Sequence, residues 1–539
     1  MPLNKKKHVI IASVIIICIA TSLILLILRP RSIDPADMTT EELLSHYGFY
    51  DYSRSLFDFY LSPINPVDMG LNEWLEDFNY FYNVIKDSYP YFAVKERMYG
   101  YKWLDLKTTY EDRIRATTNN RQFLTILLDA IQALQNRHTH MLDPQRVPTF
   151  YDWVTSGFLG SAFHKVFCEE VVNASNYWSF VYQGVVNARY GIKYDAVVAY
   201  DRGDYIIVDG VGSWVEKYGN RSIVLAVNGE PIDEAVKSCY EQDYLDWDYQ
   251  RNKSYLWMIS PRDFGVDAEF TIRNTSGYES NVTFTSMVGY SGFPYQYPGT
   301  SRYPFKFEVW ENDSTGYFYT RTFDFSTIDR YSEVILNFWR RIEGFDHLII
   351  DIRGNPGGEY LSWIKYIVKP FIKVPTPLEM YVAYRNGNFC NFYRDAAGFT
   401  TEVSKTYFDY LPPEVHGDDF TIYNWSGIFT PTGEVNYNGS ISLLTDNVVY
   451  SAAECFSLFC KQSGFATIYG TTTGGDGILP GYTFYVLPNS KLVIRIATTL
   501  GLDSTGHASE EVRTQPDVYY ESAFGNFNEL IDYVRDHLA

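Results

Sequence analysis

Tyr450 to Gly464 reads YSAAECFSLFCKQSG, and the role of Ser451 in it decides what the chain is. Ser451 to Glu454, set before an apolar run, has the form of a capping box, in which a serine hydroxyl and a glutamate carboxylate satisfy orphan N–H groups of a helix. The apolar text before it, ISLLTDNVV, reads as a strand. A serine at such a strand-to-helix corner also exposes its hydroxyl above a sheet, with helix N–H groups beside it. The four letters allow both readings, so the rest of the chain must separate them.

Outward from this corner the text from about Tyr303 alternates strand and helix. GYFYTRTFDF is a strand, Asp329 to Ile342 a helix and HLIIDI a buried strand; Ala452 to Gln462 is a helix, and ATIYG and KLVIRIAT are strands. Such alternation argues an α/β layer with a largely parallel sheet, whose ligands gather at the carboxyl ends of the strands. The loop directly after HLIID is DIRGNPGGEY, Asp351 to Tyr360. Its glycines and proline force a particular backbone path and leave N–H groups uncovered, as an oxyanion site requires.

The upstream half has a different character. From Thr39 to about Leu134 the text is helical: Trp74, Phe78, Phe81 and Ile85 recur on one face, and NNRQFLTILLDAIQALQ follows an Asn cap at Asn119 or Asn120. After LDPQRVP it turns β-rich. There SIVLAVNGEPIDEAV reads as a strand, a tight Asn-Gly turn and a helix start.

The 539-residue chain is too long for one core and suggests about three domains. A hydrophobic fraction of 46% excludes a disordered chain. With 45 basic against 65 acidic residues, a net charge of −20, nucleic acid is not an expected partner. At the N-terminus, NKKKH precedes Val9 to Leu28, twenty residues without a charge. That is long enough to cross a bilayer core of about 30 Å, and no small-residue cleavage site follows. An uncleaved signal anchor with the large domain outside the cytoplasm is the expectation, and eight Asn-x-Ser/Thr sequons are compatible with it. Six cysteines without a Cys-x-x-Cys pair give no disulfide framework and no zinc site. Neither metal nor cofactor is expected.

Taken together, strand-DxRxNxGG, then strand-SAAE with its helix, then YGTTTGG after the next strand resembles the S41 family of serine peptidases, the C-terminal processing and tricorn-like proteases. The resemblance spans roughly Tyr303 to Asp517. It implies an α/β, ClpP/crotonase-like protease domain over 300–539. The anchor over 1–31 and the helical domain over 36–150, both read from the residues, precede it, with a β-rich PDZ-like module over 185–290; the helices and this module agree with the family's usual order of domains. The NGEP corner resembles that of PDZ domains, which bind peptide ends by strand addition. The implied substrate is a protein or peptide, and the oligomeric state stays open.

Residue by residue, the resemblance makes Ser451 the nucleophile and the N–H groups of Gly357 and Ala452 the oxyanion donors. One branch of the family carries a lysine base near the T-x-G segment; here GTTTGGDG, Gly470 to Gly477, has threonine and aspartate in its place. The tricorn-like branch uses a histidine and a glutamate. LQNRHTHMLD resembles its L-x-D-G-H-T segment and puts His138 at the base, with His140 as the alternative. SEEVRTQPDVYY resembles its E-x-x-G-V-x-P-D ending and puts Glu510, or the adjacent Glu511, at the orienting position. Two rivals of other classes are a peptide-binding pseudo-protease and a crotonase-type acyl enzyme.

Overall fold

The structure is a computed structural model and describes residues 67–157, 160–288, 297 and 304–538. The expected span Val9 to Leu28, and with it the segment 1–31, lies outside the described residues. Among the described residues no helix is long and apolar enough to cross a membrane.

The sheet that carries the Ser451 corner has six strands in the order Phe305–Trp310, Thr315–Thr320, His347–Asp351, Ser440–Thr445, Thr467–Gly470 and Val518–Tyr519. Only the first pairing is antiparallel. His347–Asp351 and Ser440–Thr445 lie at its centre, and Leu348, Ile349, Ile350, Leu443 and Leu444 are buried. Strands covered on both faces read as continuous apolar runs, which is why HLIIDI and ISLLT were legible. The helix Ala452–Ser463 follows the central strand, with Phe456 and Phe459 packed on Trp363.

KLVIRIAT is a strand but not of this sheet. Val493–Arg495 pairs antiparallel with Phe484–Val486 on one side and with the two-residue strand His140–Met141 on the other. That pairing brings the histidine segment across from the helical region. Thr139 Oγ1 accepts a hydrogen bond from the Ala497 N–H (3.1 Å), and the Leu142 N–H donates to the Val493 carbonyl (2.9 Å).

The helices Leu71–Ser88 and Asn120–Gln132 bury the stripes read from the sequence. Asn119 caps the second, its side chain accepting from the Gln122 N–H. One apolar core runs from Phe78, Phe81, Ile85 and Leu127 of these helices to Leu487, Ile494 and Leu500. Residues 192–288 form an antiparallel sheet with its own core, centred on Val198, Ile207, Val236, Phe270 and Phe284. Within it, strand Ile223–Val227 turns at Asn228-Gly229 into the helix Ile232–Lys237.

Candidate active site

Ser451 occupies a backbone conformation, φ 58° and ψ −124°, that side-chain-bearing residues rarely adopt. Such strain persists only where the surroundings over-determine it. Here the Ser451 N–H donates to the Gly475 carbonyl (3.2 Å), the Tyr450 N–H to Asn355 (3.2 Å), and the Cys455 N–H to the Ser451 carbonyl (2.9 Å). The serine side chain makes no capping bond. Its Oγ lies 2.9 Å from Nε2 of His138. Glu454 does not complete a capping box either: its Oε1 accepts from the N–H and the hydroxyl of Thr514, each at 2.9 Å, inside the protein. Burial pushes its carboxyl up to about 7.

His138 sits in the turn between the helix Asn120–Gln132 and the strand His140–Met141, its own N–H donating to Asn136 Oδ1 (3.1 Å). Its Nδ1 is 2.8 Å from Oδ2 of Asp476. With the proton on Nδ1 donated to that carboxylate, Nε2 is left as the acceptor for the serine hydroxyl. Burial pushes the imidazole below its ordinary pKa; Asp476 pulls it back up, and the charge of Arg495 pushes it down again.

Asp476 also accepts from Asn136 Nδ2 (2.7 Å), the Tyr450 hydroxyl (3.1 Å) and the Tyr91 hydroxyl (2.6 Å). Burial disfavours its charge. The histidine and the converging donors outweigh that and hold the carboxyl below the usual carboxylate range.

This geometry departs from the sequence expectation at the third member. Glu510 does not reach His138: it forms a buried ion pair with Lys95, both side chains at most 5% exposed. Burial raises its pKa, and Lys95 opposes the rise. Glu510 is nevertheless close behind the site, since a Cβ on Gly475 would lie 2.9 Å from its Oε2. Glu511 faces outward and pairs with Arg97 (2.6 and 2.8 Å). His140 turns its Nδ1 to the Arg137 carbonyl (3.1 Å), stands opposite Arg495 in the strand pairing, and is pushed by burial to about 3. The residue found in place of Glu510, Asp476, lies in the GTTTGGDG segment, near which the resemblance to the lysine branch places a base. That aspartate in GTTTGGDG was the available signal.

The glycine loop closes on the serine. Gly357 has φ 106°, and a Cβ there would fall 2.7 Å from Ser451 Cβ and 2.9 Å from the Ala452 nitrogen. The expected oxyanion donors are therefore adjacent, and Ala452 begins a helix whose first N–H groups lack intrahelical acceptors. The Gly357 N–H, however, is not vacant: it donates to Asn355 Oδ1 (2.9 Å). Among the described residues no group of three His, Cys, Asp or Glu side chains is placed to hold a metal, and Cys168, Cys239, Cys390, Cys455 and Cys460 are free.

Residues 314–520 match the family model of peptidase family S41. No curated protein gives a significant match. Among solved structures, mature CPAF complexed with lactacystin superposes with a TM-score of 0.51 at 14% identity, over 87% of this chain and 98% of that one. Mature CPAF alone gives 0.50 at 13% identity, over 86% and 96%. The photosystem II D1 C-terminal processing protease gives 0.35 at 14% identity, over 84% and 94%. At these identities the CPAF likeness is one of fold. The matched segment, residues 314–520, contains both the Gly357 loop and the Ser451 corner, and its likeness is to the serine peptidases of family S41.

Proposed function

We propose that the chain hydrolyses peptide bonds through an acyl-enzyme on Ser451, with His138 as general base and Asp476 as the group that fixes the imidazole. The observation that carries this reading is the unbroken hydrogen-bond series from Ser451 Oγ through His138 to Asp476. A serine hydroxyl attacks a carbonyl only when a base takes its proton, and Nε2 is within reach to do so. The same proton then passes from His138 to the leaving amine, and a water molecule attacks the ester by the reverse path. Asp476 stabilises the imidazolium formed in both halves. The oxyanion falls to the Ala452 N–H, and to the Gly357 N–H once a substrate oxygen displaces Asn355 from it; such donors contribute about 3 to 4 kcal/mol each.

The finer reading is a membrane-anchored endopeptidase acting on extracytoplasmic proteins or peptides. It is supported by the twenty uncharged residues Val9 to Leu28 behind three lysines. The sheet of residues 192–288, with its strand-turn-helix corner at Asn228, is the PDZ-like part and captures substrate chains by strand addition. The test is hydrolysis of an unfolded protein substrate. Ser451→Ala and His138→Ala should abolish it, and His140→Ala should retain it. Loss with His140→Ala alone would overturn the assignment of the base.

A further inference from the structure

Arg495 ends the strand Val493–Arg495, directly opposite His140. Its guanidinium lies over the ring of Tyr482, 4.6 Å from the centroid, and is partly open to solvent. Its charge depresses the pKa of both His138 and His140 and acts on Tyr360, whose hydroxyl reaches the Gly477 carbonyl at 2.9 Å. Arg495 thus lies on the strand paired with the segment that carries His138 and His140, and its charge is felt by both histidines.

Its partners do not account for its charge. Among the described residues no Asp or Glu forms an ion pair with it. The carboxylate whose field it feels, Asp476, is committed to His138, Asn136, Tyr450 and Tyr91. Arg146, a second cation, repels it. An arginine stays ionised at every working pH, and a guanidinium that keeps a side open to solvent is free to take an anion. In a chain with 65 acidic and 45 basic residues, a guanidinium on the strand that pairs with the histidine segment and without a carboxylate partner is half of an ion pair. The missing half is an anion that arrives with the substrate. The planar fork of arginine matches a carboxylate in two-point contact.

We propose that Arg495 is a specificity-determining subsite beside Ser451 that takes a carboxylate of the peptide substrate, either an acidic side chain near the scissile bond or the chain-terminal carboxylate. The inference rests on the peptidase reading given above. Arg146 adds to the local positive field, and Tyr482 holds the guanidinium plane.

The test digests a mixed peptide library with the full chain and maps the cleaved bonds by mass spectrometry. It then measures kcat/KM on isosteric pairs: Glu against Gln at the preferred position, and free-acid against amide C-termini. The wild type should favour the acid member by about 10 to 100-fold, the range of one charge-assisted hydrogen-bonded pair. Arg495→Gln should reduce the ratio to about 1, mainly through KM for the acid peptide, and Arg495→Glu should shift preference toward Lys. Which pair responds identifies the carboxylate as side chain or terminus. A wild type that labels with a fluorophosphonate but prefers neither acid overturns the Arg495 subsite and leaves the peptidase reading intact, as does an acid preference that survives in Arg495→Gln. A folded wild type that neither labels nor cleaves overturns both.

Discussion

Asp476 keeps its charge inside the protein because four donors converge on its two oxygens, and one of them is His138, the proposed base. Asp476→Asn keeps the shape but offers the imidazole the wrong partner; kcat should fall about 10⁴-fold with little change in KM. Glu510→Gln acts differently, since it leaves Lys95 buried without its counter-ion. It should cost about 3 to 5 kcal/mol of stability, read by denaturant unfolding, with a smaller loss of kcat in the protein that remains folded. The pH profile follows from His138. Activity needs the neutral imidazole, so it is present above the histidine pKa and lost as pH falls through it. Burial sets that acid limb below the ordinary histidine value of 6.5, and Arg495→Gln should move it upward by removing a repelling charge. An acid limb that stays put in Arg495→Gln would contradict the proximity of the two groups.

The elements that build the site differ in how openly the sequence declares them. The Ser451 corner and the glycine loop are local, each a strand followed by a turn within a dozen residues, and both lie where the text puts them. At Gly357 the requirement is steric as well as conformational. Gly357→Ala should therefore abolish fluorophosphonate labelling and cost about 1 to 3 kcal/mol in unfolding, whereas a loop that tolerates alanine with full labelling would deny its contact with Ser451. The third member was not legible in this way. Asp476 and His138 are 338 residues apart in sequence, and neither spacing nor periodicity encodes a contact between them. The resemblance pointed to Glu510, a neighbour of the site, because it registers the ending SEEVRTQPD by its letters. The buried Lys95 that occupies Glu510 lies in a different element, the helix Phe92–Tyr99, whose role no local pattern announces. The strand KLVIRIAT illustrates the same limit: its existence is a local property, but its membership of the sheet with His140 is a tertiary one.

At the scale of the molecule, the proposed base and nucleophile, His138 and Ser451, come from distant parts of the chain, held by one continuous core shared between the early helices and residues 479–508. The proposed catalytic unit therefore extends beyond residues 314–520, the segment that the family model matches. A chain beginning at residue 185 should fail to label and should expose the apolar surface of Leu487, Ile494 and Leu500, visible as aggregation or dye binding. Full labelling of that fragment would show that the helices are dispensable. The proposed anchor predicts that the full chain stays with membranes through alkaline extraction, that deletion of residues 1–31 releases it, and that the large domain resists protease added to the cytoplasmic face. Extraction of the full chain at high pH would contradict it.

The proposed activation of Ser451 by His138, with Asp476 and not Glu510 orienting the base, is tested most directly by the second-order rate of fluorophosphonate labelling of the chain from residue 32 onward, for wild type, Ser451→Ala, Asp476→Asn and Glu510→Gln, each checked for folding. This assignment requires no labelling of Ser451→Ala, a fall of several orders of magnitude for Asp476→Asn, and Glu510→Gln close to wild type once corrected for its folded fraction. Rapid labelling of Asp476→Asn beside a silent but folded Glu510→Gln would contradict it.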